Sequence, residues 1–215
     1  MSKVTCGVSM SLDGFVAGLN MTLEHPFGTI SPMLLNGWQF NEAEKNKAER
    51  AALVSAGAYI MGRNMFGPKE LQSDPSWEGW WDDNPPYHAP VFVLSHTEHE
   101  PIVMKGGTTF YFVTDGIESA MKLAQEAAGS KDVAIAGGAN VVNQYLAAGL
   151  IDELWLHIAP VTIGSGQRLF KDTPGIKLKP LEVRTTDLVT HIKYAIQHSY
   201  SPRKTKSPLF AILNE

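Results

Sequence analysis

Apolar positions along this chain switch repeatedly between two arrangements. Short apolar runs at Lys3–Met10, Ala58–Met61, Pro90–Ser95, Thr109–Val113, Val133–Ala136 and Glu153–Pro160 read as strands. Val133–Ala136 is apolar at every position, which predicts a strand buried on both faces of a parallel sheet. Elsewhere the spacing is helical. Ile117, Ala120, Met121, Ala124 and Ala128 share one face, with Asp115 as N-cap, Glu118 three residues on and Gly129 as the stop. Asn41 followed by Glu44 resembles a capping box and predicts a helix over Glu42–Ser55 that stops at Gly57. A third helix, Asn140–Ala148, ends at Gly149. The last runs, Lys177–Thr185 and Thr190–Tyr200, lack helical periodicity and lie close together, which predicts an antiparallel pair at a sheet edge.

The order is β-α-β-loop-β-β-α-β-α-β-β-β. It predicts an α/β fold: a mixed, mostly parallel sheet flanked by helices, closed by an antiparallel C-terminal strand pair. Two segments stand outside the scheme. Ala17–Phe40 reads as an insertion, and Pro68–Ala89 as a loop carrying Trp77, Trp80, Trp81 and Tyr87. A loop of that length inside a compact domain is usually functional or disordered, and its aromatic content argues against disorder. Residues 1–200 are expected to form a single domain. The tail 201–215, basic at Arg203, Lys204 and Lys206 and then apolar over Leu209–Leu213, is either frayed or docked on a partner.

Composition narrows the function classes. The 215 residues are 44% hydrophobic and 19% charged, enough apolar content for a real core. A net charge of -4 offers nothing to a phosphate backbone, so nucleic acid is not an expected partner. No apolar run approaches the roughly 18 residues that span a bilayer. The N-terminus lacks signal-peptide architecture and reads as the start of a strand. The single Cys6 excludes an internal disulfide framework and reads as a small buried apolar residue. A cytoplasmic protein with no membrane partner is expected. His96 and His99 lack acidic partners, and His157, His191 and His198 fall on strands, so no metal site is expected.

Four stretches can carry chemistry. In VAIAGGANVVNQYL, a strand meets Gly137 and Gly138 before Ala139 and Asn140 open a helix. That is either a tight turn or an anion site at a helix N-terminus. In YIMGRNMFG, Gly62 and Arg63 end a strand, and Arg63 is either a solvated arginine or a phosphate clamp. In PVFVLSHT, a strand runs into Ser95, His96 and Thr97, by turn chemistry or for ligand binding. In SMSLDGFVAG, Asp13-Gly14 is either a plain turn or a carboxylate facing a cleft. Three strand ends with phosphate-capable groups at one sheet edge would suit one dinucleotide.

The blocks SLDGFVAG, MGRNMF, VFVLSH and AIAGGANVVNQYLAAGLIDELWLHIAPVTIGSGQRLF together resemble the dihydrofolate-reductase-like family, in the branch of the C-terminal reductase domain of bacterial riboflavin biosynthesis. The likeness covers about Lys3 to Tyr200. It implies NADPH as cofactor, with Gly137, Gly138, Ala139 and Asn140 around the pyrophosphate and a cis peptide between the two glycines. It implies Arg63, helped by Ser95 and His96, at the 2'-phosphate, and Gly62 giving the backbone access to the cofactor. Asp13 would lie near the nicotinamide as the catalytic polar group or proton relay. Gly164–Gly166 would form a loop beside the active site or a dimer contact. The chain departs from the pattern in three places. No acidic residue of FNEAEKNKAERAAL matches the pterin-binding acid, Met65 replaces the usual threonine of G-R-x-T, and the zinc pattern of the deaminase half is absent. The resulting expectation is an NADPH-dependent reductase of a small polar substrate, heterocycles included, acting as a homodimer. Its alternative is a nucleotide- or ligand-binding protein that keeps the fold without turnover. Trp77, Trp80 and Trp81 would roof the substrate pocket or form the dimer interface.

Overall fold

The computed structural model describes residues 2–197 apart from 72, 73, 75 and 174. The predicted tail 201–215 and the last residues of the predicted strand Thr190–Tyr200 lie outside the described residues. In chain order the elements are β1 (Val4–Ser11), β2 (Phe15–Ala17), α1 (Pro32–Asn41), α2 (Lys47–Leu53), β3 (Ala58–Gly62), α3 (Arg63–Phe66) and β4 (Pro90–Leu94). They continue with β5 (Ile102–Val103), β6 (Thr109–Val113), α4 (Ile117–Ala128), β7 (Val133–Gly137), α5 (Ala139–Ala147), β8 (Glu153–Ala159), β9 (Gln167–Arg168), β10 (Lys177–Thr185) and β11 (Thr190–Gln197).

Nine strands form one sheet in the order β10-β11-β8-β1-β7-β3-β4-β6-β5, and β2 pairs with β9 beside it. From β8 to β6 every pairing is parallel, while the β8–β11, β11–β10 and β6–β5 pairings are antiparallel. This is the predicted α/β fold. Parallel interior strands must be covered on both faces, which explains why β3 is buried at every position. One face packs on α4 and α5 through Ala120, Met121, Ala124, Val142, Tyr145 and Leu146 against Cys6, Ile60, Ile135 and Leu154. Burial lifts the pKa of the Cys6 thiol to about 12, so it sits in this core as an apolar residue.

The other face has two covers. Over β3, β4 and β6 lie Phe66, Trp77, Trp81 and Tyr87, packed on Tyr59, Met61, Val91, Val93 and Phe110. Over β1, β8 and β11 lie α1 and α2, with Trp38 buried against His157 and His191 at ring-centroid distances of 4.8 and 4.9 Å.

The helix over Glu42–Ser55 is corrected. Asn41 ends α1, and a second helix starts only at Lys47. The Asn46 side chain, which would otherwise cap, is drawn to the Trp38 and Glu42 carbonyls at 3.1 Å each. The supposed insertion Ala17–Phe40 holds most of α1. Ser31 caps that helix by accepting from the Met33 N–H at 3.3 Å, and Pro32 occupies its first turn. Asp115 does not cap α4; Gly116, at φ +90°, occupies the N-cap position with no side-chain cap.

Candidate active site

Strands β1, β7, β3 and β4 are parallel, so the segments that leave their carboxyl ends share one edge of the sheet. Asp13, Gly62–Arg63, Ser95–His96 and Gly137–Asn140 all lie there. Strand order makes this edge a crevice. Strand β1 pairs with β8 from Thr5 to Ser11 but with β7 only at Val4 and Thr5. Beyond residue 5 the two central strands part, and Gly7, Val8 and Ser9 are half-exposed in the middle of an otherwise buried strand. Crevices outside the carboxyl ends of open α/β sheets are where such folds bind ligands.

At β7 the chain turns through Gly137, at φ +131°, and the Gly137–Gly138 peptide is cis. No side chain caps α5 and its first turn carries no acid, so its leading N–H groups remain available to an anion. A Cβ added at Gly138 would meet nothing within 4 Å, so this turn opens outward. A Cβ at Gly137 would lie 3.1 Å from the Met65 sulfur. Met65 therefore lines the turn. A Cβ at Gly62 would approach Val141 to 2.8 Å, so Gly62 lets the end of β3 pack closely against α5.

Arg63 is 9% exposed. Its guanidinium lies 5.0 Å from the Phe66 ring and 5.9 Å from the Phe112 ring, and Nη2 donates to the Leu71 carbonyl at 3.2 Å. Among the described residues Nη1 is buried without a partner. Burial lowers its pKa. A buried guanidinium with an unused donor is suited to an anion. The Ser95 hydroxyl donates to the Thr97 carbonyl at 2.8 Å and accepts from the Thr97 N–H at 3.1 Å, which is turn chemistry, and His96 is exposed.

Asp13 is held on all sides. Its carboxylate accepts from the Ser11 hydroxyl at 2.6 Å, from the Gly164 N–H at 2.7 Å and from the Ile163 N–H at 3.2 Å. The Ser11 hydroxyl is the main cause that lowers its pKa; the N–H groups add to it and partial burial opposes it. A proton donor would need the opposite direction. Asp13 is a fixed anion that ties the β1–β2 turn to the Gly164–Gly166 loop. The same loops are joined by Leu169 N–H to Gly14 O at 3.0 Å and by Arg168 Nη1 to Asp13 O at 3.3 Å.

The tryptophans belong to the cover over β3, β4 and β6. Trp77 donates its Nε1–H to the Phe66 carbonyl at 3.2 Å, Trp81 stacks on Phe110 with centroids 5.5 Å apart, and Trp80 packs edge-on against Trp77 at 5.4 Å. Sequence reasoning missed Ser9 and Trp38. The signal for Trp38 was present in Ser31-Pro32, a helix start, which would have placed it on α1 rather than in an insertion. Among the described residues no group of three or more His, Cys, Asp or Glu is placed to hold a metal ion, and no helix is long and apolar enough to cross a membrane.

The cleft can be set beside known proteins. The RibD C-terminal domain family matches residues 2–192. The uncharacterized protein YyaP of Bacillus subtilis (strain 168) is 27% identical over 185 residues, covering 85% of this chain and 88% of that one. A putative riboflavin biosynthesis protein from Shewanella sp. PV-4 shares the fold with a TM-score of 0.63 at 23% identity, over 91% of this chain and 99% of that one. Acinetobacter baumannii RibD does so with a TM-score of 0.59 at 18% identity, over 92% of this chain. This chain spans only 58% of that protein's length. The parallel sheet, the glycine turn into α5 and a match reaching from the first strand to the last make one assignment: the chain belongs to the RibD C-terminal domain family.

Proposed function

We propose that this protein is an NADPH-dependent reductase that acts on a small polar, heterocyclic substrate. The observation that carries the reading is the buried Arg63 with its unpartnered Nη1, set at the same sheet edge as the uncapped, outward-opening start of α5. Family membership supports it, because the family is named for the reductase end of a riboflavin-biosynthesis protein. Gly137, Gly138, Ala139 and Asn140 would hold the pyrophosphate by backbone N–H groups, and Arg63, with the exposed His96 at the neighbouring strand end, would hold the 2'-phosphate, the Ser95 hydrogen being committed to the Thr97 carbonyl. NADPH bound there supplies the hydride. The chain's own work is to orient the ring in the gap between β1 and β7, to exclude water with the two covers and to fix the loop around Asp13. A homodimer and a cytoplasmic location belong to the same reading; light scattering at twice the chain mass checks the first.

One observation favours the second reading, binding without turnover. Asp13 is locked as an anion, so the obvious acid at the cleft is not a ready proton donor.

Titration of tryptophan fluorescence with NADPH and with NADH tests the cofactor. NADPH is expected to bind more tightly, and Arg63→Ala to weaken NADPH by at least about tenfold while leaving NADH nearly unchanged, the loss of one charge-assisted contact. Equal loss for both removes Arg63 from the 2'-phosphate role. Absence of binding at millimolar NADPH overturns the reductase reading. Tight binding without oxidation by any small heterocyclic carbonyl compound would favour the second reading.

A further inference from the structure

Where β1 and β7 part stands a half-exposed serine, Ser9, whose oxygen already has one fixed partner. Ser9 lies in register with His157 on β8, so its side chain points to the face covered by α1. There the Trp38 indole donates its Nε1–H to Ser9 Oγ at 3.0 Å. Trp38 is only 1% exposed and is itself held: its ring rests on His157 and His191, and its carbonyl accepts from Asn46. A serine hydroxyl has one hydrogen to give, and accepting from Trp38 occupies a lone pair rather than that hydrogen. Among the described residues Ser9 Oγ has no acceptor. Ser11, two residues further along the same strand and face, shows the contrast. Its hydroxyl donates to Asp13 and accepts from the Phe15 N–H at 3.0 Å, so it is spent inside the protein. Ser9 is half-exposed at the place where the central strands part.

We propose that Ser9 is a substrate-binding residue that donates its hydrogen to an acceptor on the substrate, a carbonyl oxygen or an unprotonated ring nitrogen, and that Trp38 is the positioning residue that keeps the serine oxygen turned for it. The site then selects planar compounds that present an acceptor toward β1 and rejects those that present an N–H there, because two donors would face each other in a desolvated gap. This rests on the reading of the gap as the substrate side of a reductase.

The test uses the full chain and a property of Trp38 itself. The indole N–H cross-peak of Trp38, assigned from Trp38→Phe, is followed while 2-pyridone is added, with toluene as a probe of similar size lacking an acceptor. The 2-pyridone is expected to shift the peak saturably and toluene to leave it in place. Ser9→Ala should weaken 2-pyridone about tenfold or more, and Ser9→Thr, which keeps the hydroxyl, should restore most of it. Trp38→Phe, followed through the Ser9 amide, should weaken 2-pyridone while amides remote from β1 and α1 keep their positions; loss of mere structure would move the whole spectrum. A Trp38 peak that ignores 2-pyridone, or equal binding by Ser9→Ala, overturns the proposal. In the same samples NADPH is added and the Gly138 and Ala139 amides are read. Their response without a Ser9-dependent 2-pyridone response sinks the subsite alone. A 2-pyridone response with silent amides keeps the subsite and sinks the cofactor site.

Discussion

The face of the sheet that carries the cleft is covered by two halves built in different ways. Over β3, β4 and β6 the cover is aromatic: Trp81 stacks on Phe110, and Phe66 meets Phe110 and Phe112 edge-on with centroids at 5.0 and 5.2 Å. Across β1, β8, β11 and β10 the same face carries a row of polar side chains in register, with Ser9 beside His157, His157 beside His191 and His191 beside Arg184. The aromatic half is held by area removed from water, which is indifferent to pH. The polar half is held by specific long-range hydrogen bonds and by histidines that stay neutral. The cleft lies between them, so one wall is passive and the other is chemically addressable.

The largest expected effect lies in the aromatic half. Phe110 is fully buried at its centre, touching the rings of Phe66, Trp81 and Tyr87. Phe110→Ala is expected to cost about 3–5 kcal/mol, the usual range for a buried phenylalanine. Urea unfolding measures it, and the loss should be the same at pH 7 and pH 5. A loss that grows in acid would mean that the two halves are not independent.

Much of this was legible along the chain, and the exceptions follow a rule. Strands β6 and β10 fall where their patterns predict, because a continuous apolar run or an exposed edge pattern depends on the local sequence alone. Helix α4 likewise shows its apolar face at Ala120, Met121, Ala124 and Ala128. The glycine turn at 137–138 and its place at the sheet edge were readable for the same reason. What failed was local polar chemistry taken over by distant partners. Asn41 and Glu44 look like a capping box with a helix running on from Glu42, yet Glu42 accepts from Thr186 and Leu188, and Asn46 accepts from Arg184. Those partners are about 140 positions away in sequence, so no window around residue 42 contains them. The tryptophans were readable as an ordered loop but not as the lining of a second core. Asp13 was readable as a carboxylate at the cleft, but not as one fixed by Ser11, Ile163 and Gly164.

A smaller effect is expected at Asn46, the hinge of the polar half. It is fully buried, and its Nδ2 is committed to two carbonyls, so Oδ1 accepts from Arg184 Nη2 at 2.8 Å and from His191 Nε2 at 3.0 Å. Asn46→Ala leaves those donors unmatched and is expected to cost about 1–3 kcal/mol. Because Trp38 also loses its partner, the emission of the folded protein should shift as well, which Phe110→Ala should not reproduce through Trp38. Full stability in Asn46→Ala would show that the row is held by packing, like the other half.

The subtlest consequence is a difference in acid response. Since Asn46 Oδ1 can only accept, His191 carries its proton on Nε2, and its Nδ1 accepts from His157 Nδ1 across 2.7 Å. His157 Nε2 is then a bare lone pair, buried without a partner among the described residues. Burial, with the nearby His191, pushes His157 down to about 3, and burial also lowers His191. The charged groups that act on the pair are Glu49 on α2 and Arg184 and Glu182 on β10. A histidine whose folded pKa lies below its unfolded value of 6.5 binds its proton on unfolding. The stability it contributes is fully present above that value and is lost as pH falls from there toward the folded pKa, at about 1.4 kcal/mol per pH unit for each proton taken up. Glu42 and Glu49, both lowered, add their own loss only below their ordinary value of 4.5. Between about pH 6 and 5 the histidines therefore act apart from these carboxylates, and urea midpoints in that window should fall with pH. His157→Leu should flatten the fall, and Phe110→Ala should leave its slope intact. A slope that His157→Leu does not change would place the acid sensitivity elsewhere and remove the chemical distinction between the two walls of the cleft.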